Sequence, residues 1–334
     1  MFQTVFFVIL LIATLPSFAM GGGASLPLSD RVRAAISRAL PTLEAGSKGS
    51  ADKRQCFTCH SQALPVFALF EAKRQGFDVD NENLTRQLQH TYDHLKRGLA
   101  NYQLGKGQGG DVLTAGYALW TLDEGNWPAD DVSEAVSNYL LNTQTELRHW
   151  RHRGSRPPTS GSDFTATYVA LRALHYFGSE ERQEQIAQRK QKVAEWLSSA
   201  PATETEDLVF KLSSLNYVGG SDAKAVRDAA DALLFLQRED GGWGQKADMS
   251  SDAYATGSAL SAILRDGHIP SNNVAIQEGI EYLLAKQMAD GTWHVVTRAS
   301  PVQEYFESNF PHGKDQFISI SATAWSALAL LQTL

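Results

Sequence analysis

Two stretches fifty residues apart repeat one pattern: Gln237-Arg238-Glu239-Asp240-Gly241-Gly242-Trp243 and Gln287-Met288-Ala289-Asp290-Gly291-Thr292-Trp293 share Gln-x-x-Asp-Gly-x-Trp. Each ends an amphipathic helical run and precedes a run of small residues, Thr256-Gly257-Ser258-Ala259-Leu260 in one case and Thr323-Ala324-Trp325-Ser326-Ala327-Leu328 in the other. A weaker copy runs from Tyr139 to Trp150 and leads into Thr165-Ala166-Thr167-Tyr168-Val169-Ala170-Leu171. Self-similarity at such a period means stacked supersecondary units. The unit here reads as an outer helix, a Gly-containing turn that stops it, and an inner helix whose small side chains let it crowd a common axis.

Apolar periodicity extends the unit along the chain. It predicts outer helices near 31–41, 82–104, 130–145, 182–199, 222–238 and 272–288, with inner partners near 58–76, 110–123, 162–177, 204–217, 250–265 and 317–332. Six such hairpins can close into a ring, which puts the last beside the first around an axis lined by Ala, Ser and Thr. The predicted fold is therefore all-α, an α/α toroid in one domain over residues 20–334. At 43% hydrophobic residues, 334 residues are ample for that core.

The Gln-x-x-Asp-Gly-x-Trp element resembles the Gln-Trp repeat of squalene cyclases and is similar to the repeats of protein prenyltransferase β subunits. The resemblance covers most of residues 30–334. It implies a toroid in which Gln caps a helix end and Trp packs over the neighbouring turn. The chemistry of those families does not carry over. The Asp-x-Asp-Asp acid of the cyclases has only poor matches, in Asp78-Val79-Asp80-Asn81 and Asp130-Asp131. Where the resemblance to prenyltransferases implies a zinc-binding Asp-x-Cys, the chain has Asp252-Ala253-Tyr254. Aligned inner helices carry Asp111, Asp163, Glu204, Asp252 and Ser319 at one register, a row that N-capping explains. Asp163 and Asp252 are the carboxylates put forward as catalytic candidates, should one point into the central cavity as an acid or a ligand.

The two cysteines of the chain, Cys56 and Cys59, stand in Gln55-Cys56-Phe57-Thr58-Cys59-His60. Cys-x-x-Cys-His is the attachment pattern of c-type haem, whose vinyl groups take the two thiols and whose iron takes the histidine. A Cys56–Cys59 disulfide and a reduced pair binding zinc with His60 are the competing readings, the second short of a fourth ligand, with no second Cys-rich element to supply it. The compartment suits haem c, because Phe2 to Leu15 is almost wholly apolar and Ser17-Phe18-Ala19 offers a cleavage site, which together read as a secretory signal peptide over residues 1–19. An uncleaved N-terminal anchor is the alternative. Both put the body outside the cytoplasm, periplasmic or extracellular. The segment, with Phe310-Pro311-His312-Gly313-Lys314-Asp315-Gln316, also resembles a group of uncharacterised exported bacterial toroid proteins.

In a toroid all inner helices run one way, so every outer-to-inner loop lies on one rim. Ring closure then brings the sixth-hairpin loop beside Cys56 to His60. His312 is the predicted distal iron ligand, with His294 and Met249 as substitutes, while His149 and His152 lie farther round the rim. The basic run from Arg148 to Arg156 falls on the same rim. Arg148, Arg151 and Arg153 are its predicted anion-binding residues, for haem propionates or an acidic substrate. A net charge of −7 and no long basic stripe exclude nucleic acid. The reading that follows is an exported toroid carrying haem c for electron transfer or redox chemistry, with a redox partner or a small apolar ligand. The competing class is a haem-free toroid that binds or acts on an apolar isoprenoid-like or carbohydrate ligand.

Overall fold

A helix with one apolar stripe must find a partner for it. In the computed structural model of the protein, each does so against the inner helices beside it, before or after it in the chain. The structure describes Met1 and residues 26–154, 156–218, 223–301 and 304–334. The segment expected to be a signal peptide otherwise lies outside the described residues, and among these no helix is long and apolar enough to cross a membrane.

The outer helices are α1 (Leu28–Lys53), α3 (Asn81–Arg97) continued by the short α4 (Leu99–Gln103), α6 (Asp131–Asn142), α8 (Gln183–Ser199), α10 (Ala223–Phe235) and α12 (Val274–Lys286). Their inner partners are α2 (Leu64–Arg74), α5 (Asp111–Glu124), α7 (Asp163–Phe177), α9 (Thr205–Leu215), α11 (Ala253–Arg265) and α13 (Gln316–Leu331). Each inner helix packs on the next, and α13 packs on α2, so the ring closes. No strand occurs among the described residues, only an isolated bridge between Gly244 and Ser251.

The repeat does the same work at each copy. Trp150, Trp243 and Trp293 are fully buried, and each donates its Nε1–H to the carbonyl ten residues earlier, of Leu140, Leu233 and Leu283, at 2.8 Å. Their backbone N–H groups donate to hydroxyls of the inner helices, Thr167, Thr256 and Thr323. Gln237 Nε2 donates to Gly241 O at 2.9 Å and to Ala275 O of the next outer helix at 2.7 Å. Gln287 repeats this with Gly291 O at 3.0 Å and Ala35 O at 2.8 Å. In the weaker copy the side chain of the Gln at this position, Gln144, bonds only Arg151 among the described residues, accepting from its N–H at 2.7 Å and donating to its carbonyl at 3.2 Å, and does not reach the next outer helix. Arg189 of α8 takes its place, lying over the Trp150 ring at 4.1 Å and donating to Leu147 O at 2.7 Å.

Two expectations change. Helix α1 runs twelve residues past the predicted end at 41, through Pro41 on its exposed face. The glycines that read as a stop are a contact surface. A Cβ on Gly46 would meet Ile320 Cδ1 at 2.6 Å, and one on Gly49 would meet Ser308 O at 2.1 Å. The axis is also not lined by Ala, Ser and Thr. Small residues lie between inner helices, where a Cβ on Gly257 would sit 2.6 Å from Ser326 N and one on Gly116 2.5 Å from Val169 Cγ2. That close approach narrows the ring, and aromatic side chains fill it. Trp120 of α5 stacks on Phe67 of α2 and meets Tyr168 of α7. Tyr168 meets Phe210 of α9, which meets Trp325 of α13.

Candidate functional site

The long loops share one rim: 143–162, 236–252 and 287–315, together with the shorter 54–58. On that rim the Cys-x-x-Cys-His segment is held from below. Cys59–Ala63 form a π-helical turn ahead of α2, a geometry that recurs at functional sites. Gln62 Oε1 accepts the Thr58 N–H at 2.8 Å, and its Nε2 starts a buried amide chain to Gln87 (3.2 Å), Asn83 (3.0 Å) and Ser47 (3.3 Å). This chain ties the turn to α3 and α1. From the side, α3 clamps residues 55–57, with Phe57 stacked on His94, the His90 imidazole 3.5 Å from Cys56 O, and Arg97 donating to Gln55 O. The clamp was invisible in sequence because α3 meets the segment only after folding. Its one signal was His90 and His94 four apart on a helix face.

Two adjoining clefts open above. The first, about 290 Å³, is walled by Cys59, His60, Thr114, Arg153, Arg156 and Thr159. The second, about 400 Å³, has a mostly apolar wall that includes Pro301, Tyr305 and Phe306, with Arg156, Glu304 and Lys314 as its charges. His60, Arg156 and Phe317 border both. Cys56 is exposed and both thiols are free. Burial pushes the Cys59 thiol up to about 12 and His60 down to about 3, so the imidazole is neutral across the physiological range. The ring packs edge-on against Phe317 at 5.3 Å and makes no hydrogen bond among the described residues.

The basic loop reaches the first cleft because Asp163 folds it inward. Its carboxylate accepts from His149 Nε2 (3.2 Å), His152 Nδ1 (2.6 Å) and His152 N (2.9 Å). His149 also stacks on Trp196. Burial raises the Asp163 pKa, but these three bonds outweigh it and hold the carboxyl well below the usual range. Asp163 is thus the first residue of α7, whose N-cap is Ser162. Asp252 does cap α11, accepting from Ala255 N at 3.0 Å and from Gln245 Nε2 at 3.0 Å. Neither lines the clefts. Arg148 and Arg151 are exposed away from them. Arg153 lines the first cleft and pairs with Asp111 at 3.2 Å. Arg156 lines both clefts, and its guanidinium has no hydrogen-bond or ion-pair partner among the described residues, so it is the better anion site.

The sixth hairpin meets His60 through Phe317 of α13, and Lys314 and Gln316 line the second cleft with it. His312 borders neither cleft. Its Nε2 lies 2.8 Å from Thr292 Oγ1 and its ring stacks on His294, which pairs with Asp315 at 2.9 Å. Met249 borders neither cleft either. One carboxylate went unnoticed in sequence because it hides in an ordinary helix start: Glu206 is buried at the axis, 3% exposed, where loss of water raises its pKa to about 8. Tyr254, at the position where a prenyltransferase-like zinc site would have its thiolate, hydrogen-bonds that carboxyl.

Comparison with known proteins agrees with the ring. Residues 205–311 match the squalene-hopene cyclase C-terminal domain. A squalene–hopene cyclase of Bradyrhizobium diazoefficiens is 27% identical over 235 residues, 60% of this chain and 32% of that protein. Protostadienol synthase A of Arthroderma gypseum is 32% identical over 111 residues, 29% of this chain and 15% of that protein. The chain therefore spans a third or less of the curated relatives it matches. A type II terpene cyclase from Scytonema, solved with geranylgeranyl dihydroxybenzoate, superposes with a TM-score of 0.61 at 12% identity, covering 93% of this chain and 99% of that one. Ring closure, the triplicated Trp geometry and these likenesses together give the chain the α/α-toroid fold of the terpene cyclases, with its 205–311 segment similar to the squalene-hopene cyclase C-terminal domain.

Proposed function

We propose that the protein is an exported toroid carrying covalent haem c on its rim, for electron transfer or for redox chemistry on a small molecule bound beside the haem. The observation that carries this reading is the state of His60: a neutral imidazole without a hydrogen-bond partner among the described residues, bordering two clefts directly after a cleft-lining cysteine. A histidine held that way is suited to a metal ion. Cys56 and Cys59 would form the thioethers, His60 would ligate iron, and Arg156 would face the propionates. Haem in such a site supplies a one-electron couple tuned by its axial ligands and surroundings.

The residues of the chain have separate tasks in this reading. The amide chain under Gln62 fixes the direction of His60, and Phe317 limits ring rotation. The α3 clamp holds residues 55–57, leaving the Cys56 thiol exposed. His312 would reach iron only by giving up Thr292 and His294, so the proposal rests on Cys56, Cys59 and His60.

Coexpression with a c-type maturation system is expected to give a coloured protein with a Soret band and the mass of one covalent haem. Cys59→Ser should lose the covalent mass. A colourless wild-type protein with a Cys56–Cys59 disulfide would reject the haem and favour the haem-free ligand-binding toroid.

A further inference from the structure

Glu206 takes no part in the haem reading, and its surroundings are unusual for a carboxyl group. Among the described residues its two partners are hydroxyls: Thr165 Oγ1 at 3.0 Å from Oε1 and Tyr254 Oη at 3.1 Å from Oε2. No cation is within ion-pair distance, and the nearby Arg298 is engaged by Glu204. A glutamine would satisfy both hydroxyls without the penalty of burying an ionisable group. The hydrogen bonds also continue outward. Tyr254 Oη lies 3.3 Å from Thr159 Oγ1, and Thr159 forms part of the wall of the first cleft. All three residues are buried, at 3% exposure for Glu206, 1% for Tyr254 and 3% for Thr159.

We infer that Glu206, Tyr254 and Thr159 form a proton path from the toroid axis to the rim cleft, with Glu206 as the proton store for a cleft ligand that gains or loses a proton. Each hydroxyl is both donor and acceptor, so the chain can point either way. With Glu206 protonated, its Oε2–H bond breaks as Tyr254 Oη takes the proton. The original Tyr254 proton passes to Thr159 Oγ1, and the Thr159 proton passes to a base in the cleft. The net change is a Glu206 carboxylate and a protonated cleft ligand, with both hydroxyls restored and their bonds reversed. The reverse sequence reloads Glu206.

The groups around Glu206 suit a store that gives up its proton near neutrality. Loss of water favours the acid form, followed by the weaker opposing effect of Thr165 from α7 and Tyr254 from α11. Asp207 on its own helix favours the acid further, and Arg298 opposes it from the 287–315 loop. Tyr117 of α5 is buried beside it with no hydrogen-bond partner for its hydroxyl. The neighbouring Asp252 is bound by Gln245 and Ala255.

Infrared spectroscopy of the full chain produced without haem maturation tests the path separately from the haem. Near neutral pH exposed carboxyls are ionised. The wild type should then show a protonated carboxyl band that is absent in Glu206→Gln and is lost as pH passes about 8. In heavy water, Tyr254→Phe and Thr159→Val should each slow deuteration of that band about tenfold, or about 1.4 kcal/mol on the barrier. Thr165→Val should shift the titration without slowing exchange. Thr159 does not touch Glu206, so its variant decides the matter alone if Tyr254→Phe fails to fold. A Glu206 ionised at neutral pH, or exchange at the wild-type rate in Thr159→Val, would overturn the inference.

Discussion

Asp163 holds two imidazoles and a backbone amide with one carboxylate, and through them it sets where a twenty-residue loop crosses the rim. Its register in the inner helix was legible in sequence, but its task was not. N-capping needs only the local backbone, whereas the clamp on His149 and His152 requires the loop to double back. The same limit explains why Arg156 emerged from a basic run as the anion-facing residue: burial separates it from the exposed Arg148 and Arg151, and the lack of a carboxylate partner separates it from Arg153. Asp163→Asn should weaken the clamp by roughly 2 kcal/mol. Tryptic cleavage within 148–156 should then quicken roughly 30-fold, and unchanged cleavage would show that the clamp is not Asp163. The pH dependence has a definite sign. The folded pKa of Asp163 lies below its unfolded value, so its stabilisation is complete above about pH 4 and is lost as pH falls through the folded value. In that acidic window, where trypsin is inactive, hydrogen exchange at the His152 amide relative to its intrinsic rate should accelerate in the wild type, while Asp163→Asn should not respond.

Helices α3 to α13 begin and end close to where the apolar spacing and Gly turns place them, because stripe and stop are local signals. Helix α1 departs from that rule. Its second half carries Gly46, Ser47, Gly49 and Ser50 on the buried face, a composition that reads as a loop until the facing residues 306–310 are known. The two glycines face different obstacles, which gives an ordered expectation. A methyl on Gly49 meets the Ser308 backbone carbonyl, which cannot yield without moving the chain. A methyl on Gly46 meets side-chain atoms only, most closely the end of Ile320 and then Phe310. Gly49→Ala should therefore lose about 2–3 kcal/mol to overpacking, well beyond the gain of about 1 kcal/mol in helix propensity. Gly46→Ala should lose less. Urea denaturation of both checks the order, and equal or reversed losses would mean that α1 does not approach the 308 backbone so closely. The π-helical turn at Cys59 was likewise hidden, since its support comes from Gln87 and Asn83 on another hairpin.

Across the whole molecule, the ring was legible because its seam repeats a contact already present within it. Gln287 grips Ala35 of α1 as Gln237 grips Ala275 of α12, and Gly291 sits against Arg38 O as Gly241 sits against Glu278 O, both glycines at positive φ. What fills the axis was not legible, because small and large residues alternate around each inner helix and only the closed ring decides which face inward. Gln287→Ala should cost about 1–2 kcal/mol. The loss should show as faster hydrogen exchange in α1 and α12, with little change in α6. Uniform acceleration would mean that the seam does not open separately.

Closure of this kind also bears on how the chain reaches its fold. The contacts of α1 with α12 and α13 join residues some 250 positions apart, as in the pair between Arg31 and Glu281. Until α13 has been synthesised, the apolar flank of α1 that will meet it has no partner, and any earlier folding yields an open arc with two sticky ends. Such an arc could join a second arc as readily as itself. Dilute refolding should thus favour the monomeric ring, and crowded refolding should trap interlocked dimers in which one protein's sixth hairpin completes the other's circle.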